Sequence, residues 1–228
     1  MKCSPLNHTA GYWMTSQDLR MRREPGQQRT QAIVRKVEQT TLALLKEGGI
    51  TQLNTNAIAE RCGIDIKSLY RFFPNKEAIV YRLAQQWLEE IRRRVQAIYA
   101  SDLGLIETWN ALDDMVDSIE QEFSGYGALW QAMDVIPALH GLEQEHEAVL
   151  VGHITALLRK HGCRWQEREL NELGRYLYRT WDVVKQDSFE QGQARGLMWR
   201  THKQWQYRLL LSAVKSQDAA EFEQDLAI

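Results

Sequence analysis

Apolar residues first recur at helical spacing at Ile33, Val34, Val37, Leu44 and Leu45, and the run stops at Gly48-Gly49. That pattern predicts a helix over about 30–47. Asn54 or Thr55 can cap a second helix that ends at Cys62, before Gly63. A third is expected from about Ile66 to Phe73, capped by Asp65 and ended by Pro74. Asn75 opens a fourth, where Ile79, Leu83, Trp87, Ile91 and Val95 repeat in steps of four and predict a long amphipathic helix to about Tyr99. Further helical patterns follow at about 103–123, 127–136, 139–161, 166–188 and 194–216. No segment alternates with period two for the length of a credible strand, so the predicted fold class is all-α.

The stretch GIDIKSLYRFFPNKE, residues 63–77, mixes apolar and basic side chains in a short segment. Ile58 and Ala59 on one helix, Gly63 at the turn, and Ile64, Leu69 and Phe72 after it have the spacing of a helix-turn-helix over about 54–73. With Leu69, Phe72 and Phe73 turned inward, the outward set is expected to be Ile66, Lys67, Ser68, Tyr70 and Arg71. Bases and hydroxyls on an exposed helix suit the phosphates and base edges of a DNA major groove. Lys76, and the helix start at Thr55 and Asn56, are placed to bind flanking phosphates.

Charge sharpens this picture. The net formal charge of the 228 residues is -2. Residues 1–100 hold 16 Lys+Arg against 9 Asp+Glu, whereas residues 101–228 hold 12 against 21, so +7 and -9 make up that total. A basic first part suits a polyanionic partner, and an acidic second part would be repelled from it. Residues 1–28 show no periodicity and are expected to be a flexible tail, whose Arg20, Arg22, Arg23 and Arg29 are candidates for a DNA-binding arm. Three scattered cysteines without a CxxC argue against a disulfide framework, and Cys62 reads as a core residue. Neither a signal peptide nor a membrane span is expected, which makes the cytoplasm the expected location.

TQLNTNAIAERCGIDIKSLYRFFPNKEAIV, after a helix and a glycine pair, resembles the N-terminal domain of TetR-family transcriptional regulators, above all in AIAERCGI and SLYRFFPNKEA. The similarity covers about residues 29–88. It implies an N-terminal three-helix DNA-binding domain, joined by a long helix to an all-α domain over residues 89–228 that binds an effector and dimerises. By the resemblance, Lys67, Ser68, Tyr70 and Lys76 contact DNA, and Thr55 contacts phosphate. Ile66 stands where many members have a polar reader, and Lys67 where glycine or proline is frequent. The implied function is that of a ligand-responsive repressor that binds a palindromic double-stranded operator as a homodimer, without a cofactor.

For the dimer, Leu170, Leu173, Leu177, Trp181 and Val184 form one candidate stripe, and Trp199, Trp205, Leu209 and Val214 lie near another. For a hydrophobic or amphipathic effector the candidate lining is Trp109, Met115, Trp130, Met133 and Tyr178. The alternative function is a helical metal-binding enzyme or sensor, because Glu143 and His146 make a Glu-x-x-His. Di-iron bundles need a second copy, which the sequence lacks, and His140, His146 and His153 share a helix face imperfectly. With no HExxH, GxSxG or Walker-type loop, the sequence predicts neither an enzyme nor a metal site. The run Arg92, Arg93 and Arg94 reads as a solvated or ion-pairing face.

Overall fold

A computed structural model describes residues 19–122, 125–190 and 196–226. Among these the regular elements are all helical: α1 (Gln28–Gln52), α2 (Thr55–Cys62), α3 (Ile66–Tyr70), α4 (Lys76–Tyr99) and α5 (Leu105–Glu122), then α6 (Tyr126–Val135), α7 (His140–Lys160), α8 (Glu167–Glu190), α9 (Leu197–Lys215) and α10 (Ala219–Leu226). A short 3-10 turn, Pro137–Leu139, leads into α7.

Local chemistry sets the first boundaries. Gly49 breaks α1 with φ 65°, so the glycine pair does interrupt the helix, although one more turn follows. The side chains of Asn54, Asp65 and Asn75 accept hydrogen bonds from the backbone N–H groups of Ala57, Lys67 and Ala78 and so cap α2, α3 and α4. Gly63 takes φ 62° and its N–H caps the end of α2, a left-handed conformation that favours glycine. The helix at α10 was not expected from apolar periodicity. Its signal is Asp218 followed by Glu221: Asp218 accepts from the N–H of Glu221 and caps the helix, and Glu221 accepts from the N–H of Gln217, one residue before the cap.

Two apolar cores result. The first joins α1–α4 to α6 and the 3-10 turn, so it runs across the domain boundary expected near residue 88. Leu129, Ala132 and Met133 of α6 belong to it, and α6 lies against both α1 and α4. The second is built from α5 and α7–α10, with Trp165 set edge-on to Phe222. Within this half α8 crosses α7 closely at Gly174, where a Cβ would meet Val151 and Thr155 at 3.2 and 3.3 Å.

Residues 19–27 do not behave as the loose tail expected of them. Leu19 is 1% exposed in the first core, Arg22 N–H donates to Phe72 O (2.8 Å), and Arg22 Nη1 donates to Tyr70 O (3.1 Å). The segment therefore straps the C-terminal end of α3. Residues 1–18 lie outside the described residues, as does whatever part of a DNA-binding arm they supply.

Candidate functional site

The helix-turn-helix is held from beneath. Leu69, Phe72 and Phe73 are buried together with Ile58 and Ala59, and each large apolar side chain contributes about 1.5–3 kcal/mol by leaving water. A five-residue helix has no stability of its own, so this packing is what fixes α3. Above it, Lys67 and Arg71 are exposed, Ser68 is partly exposed, and Tyr70 remains open at the surface. Arg71 lies over the Phe72 ring at 5.3 Å. Tyr70 Oη and Thr55 Oγ1 hydrogen-bond at 3.0 Å, which ties the start of α2 to α3, and Asn56 is exposed beside them.

Two predicted residues sit differently. Ile66 is partly buried and packs against the core. Lys76 turns inward, donating to the carbonyls of Ile50 (3.2 Å) and Leu53 (2.8 Å). Its ammonium satisfies carbonyl groups at the end of α1. Cys62 is core as expected, with Sγ near Thr40 Oγ1 and Lys36 O.

A cavity of about 320 Å³ lies among α4–α8. Trp109, Met115, Trp130 and Tyr178 line it as predicted, whereas Met133 does not. Met133 is 1% exposed and belongs to the core that α6 shares with α1–α4. The apolar stripe of α4 supplies Trp87, Ile91, Val95 and Tyr99, which sequence periodicity marked only as core. Trp87 stacks on Tyr126 with ring centroids 4.0 Å apart, joining α4 to α6 at the cavity wall.

Polar groups around the cavity are few and mostly engaged. Trp109 Nε1 donates to Gln206 Oε1 (2.9 Å) and Trp181 Nε1 to Asp113 Oδ1 (2.7 Å). Asp113 Oδ2 is 2.9 Å from the Lys203 ammonium, and Lys185 is paired with Asp117. His146 is 2% exposed, with Trp130 and Tyr178 edge-on at 6.4 and 6.3 Å. Burial, and then the nearby Arg92 charge, push its pKa down to about 4, so the imidazole is neutral at pH 7. Burial raises the pKa values of Tyr99 and Tyr178.

The Glu143/His146 pair does not form a metal centre. His146 turns between two rings, His140 Nε2 lies 3.2 Å from Asp134 O, and His153 stacks on Tyr99. Among the described residues no group of three or more His, Cys, Asp or Glu is arranged to hold a metal ion. The arginine run is an ion-pairing face: Arg92 pairs with Glu89, Arg93 with Glu90, and Arg94 with both Glu90 and Glu122. Hydrogen bonds from Arg93 and Arg94 hold the Glu90 carboxyl down at about 2. No described helix is long and apolar enough to cross a membrane.

A short basic helix presented on a capped helix-turn-helix, with an all-α body packed behind it, is the arrangement of a DNA-binding transcriptional regulator. Residues 39–83 match the family model for bacterial regulatory proteins of the tetR family. The fold is shared with the fatty acid degradation regulator FadR of Bacillus halodurans (TM-score 0.64, 14% identity, 83% of this chain and 97% of that one). It is shared too with a transcriptional regulator from Pseudomonas aeruginosa PAO1 (TM-score 0.63, 18% identity, 89% and 96%). Thermus thermophilus FadR, a TetR-family repressor solved in complex with lauroyl-CoA, aligns with TM-score 0.54 at 18% identity over 79% and 94%. Comparison with curated proteins finds no match. Residues 39–83 thus carry the DNA-binding segment of the tetR family, and the rest of the chain shares the fold of the solved regulators.

Proposed function

We propose that the chain is a homodimeric, ligand-responsive repressor that reads a palindromic operator in the cytoplasm. The observation that carries the DNA-reading part is the exposed face of α3, where Lys67, Ser68, Tyr70 and Arg71 surround a helix fixed from below by Leu69 and Phe72. Lys67 and Arg71 supply charge to phosphates or guanine edges, Ser68 and Tyr70 supply hydroxyls, and Thr55 and Asn56 meet the flanking backbone. Lys76 acts mainly by holding α1 to the start of α4, since its ammonium already serves two carbonyls. Ile66 offers a thymine methyl only its outer edge.

Dimerisation through α8 and α9 is supported by a face that shares only Trp205 with the stripes named from sequence. Leu170, Leu173 and Leu177 are buried in the chain's own core, as is Trp199. Among the apolar residues that α8 and α9 leave exposed are Tyr176 and Val183 on one helix and, besides Leu197 and Leu211, Met198 and Trp205 on the other. Tyr176 with Val183, and Met198 with Trp205, are each seven residues apart and so lie on one side of their helix. Two such helices from each protomer make a four-helix interface, and a two-fold dimer sets its reading helices roughly 34–36 Å apart, one turn of DNA.

Ligand response is supported by the cavity wall. Trp87 and Tyr126 meet there, and behind them Glu38 of α1 accepts from Arg82 Nε (2.7 Å) and Gln86 Nε2 (3.3 Å) of α4. A molecule that separates α4 from α6 thus shifts the seat of α1 and the reading helices. To act as a switch it must favour the released state by about 1–3 kcal/mol. The lauroyl-CoA bound to the Thermus thermophilus FadR makes a hydrophobic or amphipathic effector a reasonable class here.

The test is a gel shift on DNA upstream of the gene and its neighbours, repeated with a library of hydrophobic compounds. Lys67→Ala with Tyr70→Ala should lower affinity at least tenfold; unchanged binding would remove α3 as the reader. In sedimentation, Val183→Glu with Trp205→Glu should turn a dimer into monomers.

A further inference from the structure

We infer that the cavity takes an uncharged, mainly apolar molecule whose single polar group hydrogen-bonds the His146 imidazole. The inference rests on the ligand-responsive reading and gives that ligand its chemistry.

Three observations converge. His146 is almost wholly buried at the cavity, and its Nδ1 has no hydrogen-bond partner among the described residues. A buried polar nitrogen left unpaired is unfavourable, so a ligand atom that pairs with it gains more than the same contact at a surface. Second, two of the cavity's four indoles are already satisfied. Trp109 and Trp181 donate away from the cavity, to Gln206 and Asp113, and present ring surface. Third, the ionisable groups on this wall are not available as counter-charges. Lys185 is paired with Asp117 and also lies 4.5 Å over the Trp199 ring, and Asp182 likewise has a partner. Burial keeps the Tyr99 and Tyr178 phenols un-ionised, and the imidazole is neutral, offering one donor and one acceptor. An ionic ligand would lose its hydration there without gaining an unpaired opposite charge.

A rival chemistry lies next door. Trp130, His146 and Tyr178 also border a cleft that contains Asp134, Glu143, Glu147 and Arg179. Glu147 is paired with Arg175 and Arg179. Asp134 and Glu143 both have raised pKa values, from burial first and, for Glu143, from Asp134 as well. A cationic group reaching past His146 would find attraction there, so the experiment includes one.

The full chain is titrated with three naphthyl probes, the first two of one shape, read by quenching of its cavity tryptophans. N-phenyl-1-naphthylamine is uncharged with a single N–H; 1-benzylnaphthalene replaces that N–H by CH₂; (1-naphthylmethyl)trimethylammonium is a fixed cation. The amine is expected to bind roughly three- to tenfold more tightly than the hydrocarbon, and the cation more weakly than either. His146→Phe should erase the preference for the amine, while His146→Gln keeps it; the probe comparison on the unaltered chain needs no variant to fold. Equal binding of amine and hydrocarbon, tightest binding of the cation, or no binding of any probe overturns the inference. Operator affinity is measured separately with the same probes. If the amine binds through His146 without weakening DNA binding, the ligand-responsive reading fails and the cavity chemistry stands; if the cation alone releases DNA, the chemistry fails and the switch stands.

Discussion

The N-terminal and C-terminal halves are both helical, yet they place their polar contacts at different distances along the chain. In the N-terminal half the caps reach two or three residues, the Thr55–Tyr70 bond spans 15, and Lys76 reaches back 23 and 26. Trp109 with Gln206 and Asn110 with Tyr207 each span 97 residues, and Trp181 with Asp113 and Lys185 with Asp117 each span 68. Among the described residues, side-chain hydrogen bonds in the first half reach as far as 48 residues, from Arg22 to Tyr70 and from Gln86 to Glu38, against 97 in the second, so the second depends more on partners distant in the chain.

The sharpest way to break this comparison is Phe72→Ala. Phe72 is 2% exposed beneath α3, so its removal should lower unfolding free energy by about 3–5 kcal/mol and abolish operator binding. Denaturation and a gel shift on the same variant check both. Next comes Asp113→Ala in the C-terminal half, which strands the Trp181 N–H and the Lys203 ammonium together. A loss of about 3 kcal/mol is expected, and Lys203→Met in the same chain should recover part of it. If Asp113→Ala is neutral in denaturant titrations, long-range polar pairing is not what holds this half.

Acid sharpens the comparison further. An unfolded histidine protonates near 6.5, whereas folded His146 stays neutral down to about 4. Between those values the unfolded chain binds more protons, so this contribution is whole above about pH 6.5 and is lost progressively as pH falls to 4, by at most about 3 kcal/mol. His146→Gln should flatten that part of the stability-versus-pH curve. The smallest expected effect belongs to the strap: Arg22→Ala removes a hydrogen bond to Tyr70 O and should cost about 1 kcal/mol. Its operator affinity should fall while probe binding in the cavity stays unchanged; equal affinity would show that the strap does not position α3.

Sequence by itself determined the helices of the N-terminal half, their caps, and the division of α3 into an inward apolar side and an outward basic one. These follow from period, capping chemistry and the left-handed turn at Gly63, all of which act over a few residues. It misplaced Ile66 and Lys76, because both settle according to what lies beside them in space: the core under α3 for one, the open carbonyls at the end of α1 for the other. In the C-terminal half periodicity found α5–α9 but neither α10 nor the facing of the helices. Leu170, Leu173 and Leu177 turned out to be core, Tyr176 and Trp205 stayed exposed, and Met133 went to α1 and α4 instead of the cavity. An apolar stripe says only that a helix buries one side. Which neighbour covers it, and whether a space is left between them as it is around His146, is decided when helices distant in sequence pack together.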